Sequence, residues 1–278
     1  MRLLVGFDRR DGGRDALELT RALASSEQSS ALVVTVMPYD PLPMTYQELL
    51  SPEAAEAAEP AFKEAREKLA GLEVETRAFG GGSVAGILTD LAEREVFDAI
   101  VVGASHRGTV GRVLLGSVGH GLLHGAPCPV AVAPTGYVKA AHGTFGQVAV
   151  AYDGTPDSKR ALNQARALAE DHGAVVRVLT VMAPRTVLSP VPYTPVNPPQ
   201  PEKVLDEGVR AAGNRVPVEG DLLGGPPAET LAEACEEGVD LLVAGSRGYG
   251  PLSRVLLGSV TTQLIDMAPC PVLVVPRS

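Results

Sequence analysis

The sequence predicts a duplicated parallel α/β protein, and three observations carry that reading. Short apolar runs alternate with helix-patterned stretches along the whole chain, as strands and crossover helices do in a parallel sheet. The pattern then starts again. Segment 147–153 matches 3–8, with Asp153 standing 145 residues after Asp8, and Thr180-Val181-Met182 matches Thr35-Val36-Met37 at the same offset. Finally, two strings recur word for word at an offset of 142. Arg-Val-Leu-Leu-Gly-Ser-Val stands at 112–118 and 254–260, and Ala-Pro-Cys-Pro-Val at 126–130 and 268–272. Identical strings in one register mean a repeat, and its period is too long for a solenoid, so the unit is a whole domain.

The elements follow in order. Residues 2–8 read as the first strand and 14–25 as a helix, with Ala16, Leu17, Leu19, Ala22 and Leu23 on its apolar side. A valine-rich strand is expected over 31–37 and a loop over 38–43. Residues 46–70 are charged and alanine-rich, which predicts a helical stretch broken near Pro52 and Pro60. A third strand is expected at 72–78, a turn at Gly80-Gly81-Gly82, a helix at 84–95 and a fourth strand at 99–102. A helix from 117 to 125 and a fifth strand at 130–133 close the first copy. The offset falls from 145 to 142 between the second and fourth strands, where the second copy has a proline-rich stretch, 184–201, in place of most of the helical region. The domains are set at 1–135 and 147–278, with 136–146 as linker.

Composition bounds the function. A chain of 278 residues with 45% apolar and 21% charged residues suits two globular domains. A net charge of −9 argues against non-specific binding to nucleic acid or anionic membranes. No run approaches ~20 apolar residues, so no membrane span is expected. The start lacks a signal-peptide layout. Cys128, Cys235 and Cys270 are odd in number and lack metal-ligand spacing, so a reducing cytoplasm is the expected location.

The chemistry concentrates in one stretch. In the second copy it runs Leu241-Leu242-Val243-Ala244-Gly245-Ser246-Arg247-Gly248, then nine residues, then Gly258-Ser259-Val260. The apolar run suits a central strand covered on both faces. Gly245 and Gly248 let the backbone turn and approach a ligand. Ser259 reads as a helix N-cap, leaving the amides from Val260 onward to attract an anion. This describes a phosphate cradle at the carboxyl edge of a parallel sheet.

The pattern Gly, two residues, Gly, nine residues, Gly-Ser, then a helix and Ala-Pro-Cys-Pro-Val, resembles the ATP-binding signature of the universal stress proteins. The resemblance covers nearly the whole chain as two tandem copies. It implies a doubly wound five-stranded parallel sheet of order 3-2-1-4-5 in each half, of the adenine nucleotide alpha hydrolase-like type, with the switch point between strands one and four. It also implies that the fifth strands can pair the halves. By the same resemblance Asp153 and Val181 sit by adenine and ribose, Ala244 and Gly245 line the nucleoside, and Gly248, Gly258, Ser259 and Val260 hold the phosphates. The matching first-half set is Asp8, Val36, Val102, Gly103, Gly116, Ser117 and Val118.

The first half departs from the pattern. His106 stands where the second half has Gly248, and Arg9 and Arg10 stand in place of Gly154 and Thr155. His106 either fills the phosphate space or reaches an anion. ATP is therefore expected in the second half, with the first half left open, as is the presence of Mg²⁺. Arg247 and Arg254 are candidate phosphate partners; solvated surface arginine is the other reading, as for Arg107 and Arg112. Asp8 and Asp153 either touch the ligand or stiffen a turn. Cys128, Cys235 and Cys270 read as structural thiols. There is no P-loop, no dinucleotide fingerprint after strand one and no nucleophile elbow. The expectation is a cytoplasmic regulator that binds adenine nucleotide, with an unidentified protein partner and a homodimer both allowed. A slow ATPase or nucleotidyl-transfer enzyme and a nucleotide-free dimerising scaffold are the alternatives.

Overall fold

The computed structural model describes residues 1–24, 28–37, 52–104, 116–140, 143–182, 200–246 and 259–277. The first half runs β1 (Arg2–Gly6), α1 (Asp11–Leu23), β2 (Ser30–Met37), α2 (Pro52–Lys68), β3 (Glu73–Gly80), α3 (Val84–Arg94), β4 (Ala99–Gly103), α4 (Ser117–Gly125) and β5 (Val130–Ala133). A short helix, α5 (Tyr137–Ala140), follows. The second half repeats the order as β6 (Gln147–Ala151), α6 (Pro156–His172), β7 (Val175–Met182), α7 (Pro201–Ala212), β8 (Val218–Gly224), α8 (Pro227–Cys235), β9 (Leu241–Gly245), α9 (Ser259–Met267) and β10 (Val272–Val275).

All the strands form one sheet of order β3-β2-β1-β4-β5-β10-β9-β6-β7-β8. Within each half the strands are parallel and follow the expected 3-2-1-4-5 order. Leu4 faces Leu32 on one side and Ile100 on the other, and Val150 faces Val178 and Val243. The halves meet where β10 runs antiparallel to β5, with Leu273 opposite Ala131. Both joining strands are short, apolar and buried along their length, so neither is left as an open edge.

Strand alternation sorts the core into two layers. Leu3, Val5, Ala99 and Val101 face the layer under α1 and α6. That layer is continuous across the halves, through Ala131, Leu273, Phe145, Leu162 and Val176. Leu4, Ile100 and Val102 face the opposite layer, where Ile265 and Ala268 of the second half join Leu122 and Val130 of the first. A separate cluster built on Leu179, Leu231, Leu242 and Leu264 fills that side of the second half.

Several local expectations change. β1 ends at Gly6, so Phe7 and Asp8 lie beyond the strand. α1 begins at Asp11, three residues before Arg14, and takes Gly12 and Gly13 into its first turn. Pro60 does not break α2, which runs unbroken through it. The buried side is Ala54, Ala58, Ala61, Phe62 and Ala65, and Pro60 faces outward, where water can satisfy the carbonyl freed by its missing N–H. Ser259 is the first helical residue of α9 rather than its cap. The first half shows the same arrangement, with Gly116 as cap and Ser117 inside the helix. The expected loop 38–43, the start of the helical region at 46 and most of the proline-rich stretch 184–201 lie outside the described residues. Asp15, at the middle of α1, is buried and accepts hydrogen bonds from the Gly136 and Val138 amides at 2.8 and 2.9 Å. It ties the segment between the halves to α1. Burial pushes its carboxyl above the usual range, against those bonds.

Candidate functional site

A cavity of ≈ 320 Å³ opens at the carboxyl end of the first-half sheet. It sits where β1 and β4 part company, the place at which an open α/β sheet forms a crevice. Val34 and Val36 from β2, Val102 and Gly103 from β4 and Val84 from α3 form its walls. Asp8 and Arg10 come from the loop after β1, and Gly12 and Gly13 from the first turn of α1. Gly116, Ser117, Val118 and Gly119 come from the start of α4. Its size falls within the range of small-molecule sites, with mostly apolar walls and a few polar groups.

The walls follow from local sequence. Two helices point their first turns at the cavity, and neither Arg10 nor Gly116, at their caps, makes a side-chain capping bond. Gly103 lets α1 approach β4 closely, since a Cβ there would lie 1.8 Å from the Gly12 carbonyl oxygen. Asp8 Oδ1 accepts from the Arg10 amide at 3.1 Å, and the Arg10 Nε lies 3.7 Å from Oδ2. The carboxylate thus stiffens its own turn and also lines the cavity.

Of the first-half set drawn from the sequence, Asp8, Val36, Val102, Gly103, Gly116, Ser117 and Val118 all line this one cavity. His106 lies outside the described residues. Arg10, Gly12, Gly13, Val84 and Gly119 also line it and were not singled out as site residues. A signal was available for three of them. Gly12, Gly13 and Gly119 stand where the repeat places Asp157, Ser158 and Thr261, so the first copy carries no side chain at three positions where the second does.

In the second half the same positions are occupied. Asp153 Oδ1 accepts from the Thr155 amide and hydroxyl at 3.0 and 2.6 Å. Thr155 Oγ1 caps α6 by accepting from the Ser158 amide at 3.3 Å. Thr261 donates its hydroxyl to the Gly245 carbonyl at 2.9 Å, pinning the first turn of α9 to the end of β9. Val181, Ala244 and Val260 share one apolar cluster there. Gly245 allows close packing against Asp157, whose atoms a Cβ would meet at 3.0 Å. Arg247, Gly248, Arg254 and Gly258 lie outside the described residues, as do Arg107 and Arg112 of the first half. The backbone of Ser259 opens α9.

Other titratable groups stand apart from the cavity. Burial pushes the half-buried Cys128 thiol up to about 11. Contact with Cys235, reinforced by burial, raises that of Cys270. Both shifts disfavour the reactive thiolate. No cluster of three or more histidine, cysteine or acidic residues suited to a metal occurs among the described residues. No helix among them is long and apolar enough to cross a membrane.

Fold and cavity together define a tandem, doubly wound α/β protein with a ligand-sized crevice at its topological switch point. The model of the Universal stress protein family matches residues 1–134 and again 144–276, and the chain belongs to that family. A universal stress protein of Mycobacterium tuberculosis is 29% identical over 296 residues, covering 99% of this chain and 100% of the relative. One from Mycolicibacterium smegmatis is 33% identical over 255 residues, covering 89% and 85%. The crystal structure of a universal stress protein from Archaeoglobus fulgidus superposes with a TM-score of 0.72 at 25% identity, covering 100% of this chain and 96% of that one.

Proposed function

We propose that the chain binds an adenine nucleotide, ATP in particular, at the carboxyl ends of β1 and β4 and at the matching place between β6 and β9. Occupancy would then regulate contact with a protein partner. The observation that carries the reading is the first-half cavity, because the seven residues that the family resemblance assigns to a nucleotide site there all line it. Its residues fit the ligand. Val36, Val84 and Val102 offer an apolar wall for a base. The Asp8 carboxylate can accept from a ribose hydroxyl or an adenine amine, and the first turn of α4 can present amides and the Ser117 hydroxyl to phosphate oxygens. In the second half Asp153, Val181, Ala244, Gly245, Arg247, Gly248, Gly258, Ser259 and Val260 take the corresponding roles. The regulatory unit is the pair of domains 1–135 and 147–278 across the linker 136–146.

Calorimetric titration of nucleotide-stripped protein with ATP tests this. Two sites per chain are expected. Val102→Trp should fill the first cavity and remove one, and Gly248→Val should remove the other. A chain that takes up no adenine nucleotide refutes the proposal.

A further inference from the structure

We propose that His120 and His124 form a surface site for a borderline divalent transition metal, of the class Cu²⁺, Ni²⁺ or Zn²⁺, on the helix that walls the first-half cavity. Both residues are exposed on α4. They stand four positions apart, so their side chains lie one above the other on a single helix face, with Cβ atoms about 5–6 Å apart. That spacing lets two imidazoles take neighbouring positions around one ion.

The hydrogen bonding prepares one ligand. His124 Nδ1 lies 2.7 Å from the His120 carbonyl oxygen. A carbonyl only accepts, so Nδ1 is the donor, and in the neutral ring the lone pair is then on Nε2. The bond also folds the ring back along the helix toward His120. Metal-ligating histidines commonly donate their second ring nitrogen to a backbone carbonyl in this way, which fixes tautomer and orientation before the metal arrives. His124 is in the last turn, where the helix dipole attracts a cation.

Two imidazoles and water make an open, nitrogen-rich set. It suits ions that prefer imidazole and disfavours Mg²⁺ and Ca²⁺, which take oxygen ligands. The site is single. The repeat places Thr262 and Asp266 at the corresponding positions of α9, and a hydroxyl and a carboxylate do not reproduce the pair.

The position matters to the cavity. α4 contains Gly119, Gly121 and Gly125, lacks a side-chain cap and buries only Gly119 and Leu122. Such a helix frays readily. An ion bridging His120 and His124 holds one full turn closed, and the adjoining turn supplies Ser117, Val118 and Gly119 to the cavity wall.

The test is titration of the full chain, without a histidine tag, with Zn²⁺, Ni²⁺, Cu²⁺ and Mg²⁺, paired with hydrogen exchange across residues 117–125. One transition ion per chain is expected, Cu²⁺ tightest, with no response to Mg²⁺. His120→Ala and His124→Ala should each weaken Zn²⁺ binding at least about tenfold. Zn²⁺ should slow exchange of the α4 amides in the wild type and leave it unchanged in either variant. Both side chains are exposed, so the variants should fold. Binding that survives in the double variant belongs to other histidines and overturns the assignment. So does unaltered exchange in the metal-saturated wild type.

Discussion

The two halves differ most where their first strands turn into their first helices. In the second half Gly154 takes the left-handed conformation at φ 79°. Asp153 is gripped by Thr155, Thr155 caps α6, and Pro156 opens the helix. In the first half Arg9 holds nearly the same conformation at φ 61°. Asp8 makes the same bond to the amide two residues on, and α1 starts without a side-chain cap on two glycines. The topology dictates the turn, because both strands must double back into a helix covering the sheet. It does not dictate how the helix end is used. The second half satisfies that end with its own side chains, whereas the first leaves it facing a cavity.

The largest way to break this comparison is at the close approach that permits it. A Cβ on Gly103 would lie 1.8 Å from the Gly12 oxygen and 2.3 Å from its carbonyl carbon. Both are backbone atoms, so no rotamer change relieves the clash. At the matching Gly245 the nearest atoms, those of Asp157, are at 3.0 Å. Gly103→Ala should therefore cost about 3 kcal/mol or more, and Gly245→Ala about 1 kcal/mol. Urea unfolding of the two variants measures the difference. Equal losses would show that α1 can slide off β4 as freely as α6 can slide off β9.

A smaller effect exchanges the caps. Thr155→Ala removes the side-chain bond to the Ser158 amide and should destabilise by about 1 kcal/mol. Arg10→Thr supplies the missing hydroxyl to α1 and should stabilise by about 0.5 kcal/mol. Shifts in urea midpoint of opposite sign are expected. A loss in Arg10→Thr would mean that the arginine, rather than the open helix end, holds the first turn.

Much of this was legible in the sequence, and the exceptions have physical causes. Alternation and the two offsets carried the parallel α/β class and its doubling, because strand burial and turn positions are local properties, whereas the strand order within each half came from the family resemblance. The joining of β5 to β10 was expected from resemblance alone, since two short valine-rich strands do not name their partner. The start of α1 was missed because Gly12 and Gly13 are poor helix formers. Their place is set by packing on Gly103, a contact 91 positions away in the chain. Pro60 was misread as a break because propensity does not know which face is exposed. The family resemblance placed Asp8, Val102, Gly103 and Ser117 together, and comparison of the two copies could have added Gly119, yet nothing in the sequence pointed to Val84. A cavity is defined by the side chains its walls lack as much as by those they carry.

The smallest effect sharpens the comparison furthest. Arg9 sits in a conformation that costs a residue with a Cβ about 1 kcal/mol. Its Nε pairs with Glu64 at 3.1 Å, and Glu64 also holds Arg14 at 2.6 Å. Half-exposed pairs contribute about 0.2–1 kcal/mol, and glycine adds a comparable cost through the unfolded chain. Arg9→Gly should therefore change stability by no more than about 0.5 kcal/mol near neutral pH. The reverse change, Gly154→Arg, should cost about 1 kcal/mol. A Cβ there meets Val204 at an ordinary 3.5 Å, so strain alone decides its sign. Acid separates the terms. Arg14 first, then Arg9, hold the Glu64 carboxyl below its usual value against the effect of burial. The stabilisation from these pairs is thus present above the ordinary carboxylate range and disappears as pH falls through the lowered value. Below that point Arg9 keeps its strain and loses its partner, so Arg9→Gly should become the more stable protein. If the difference between the two proteins stays constant from neutral pH into acid, Glu64 does not offset the strain at Arg9.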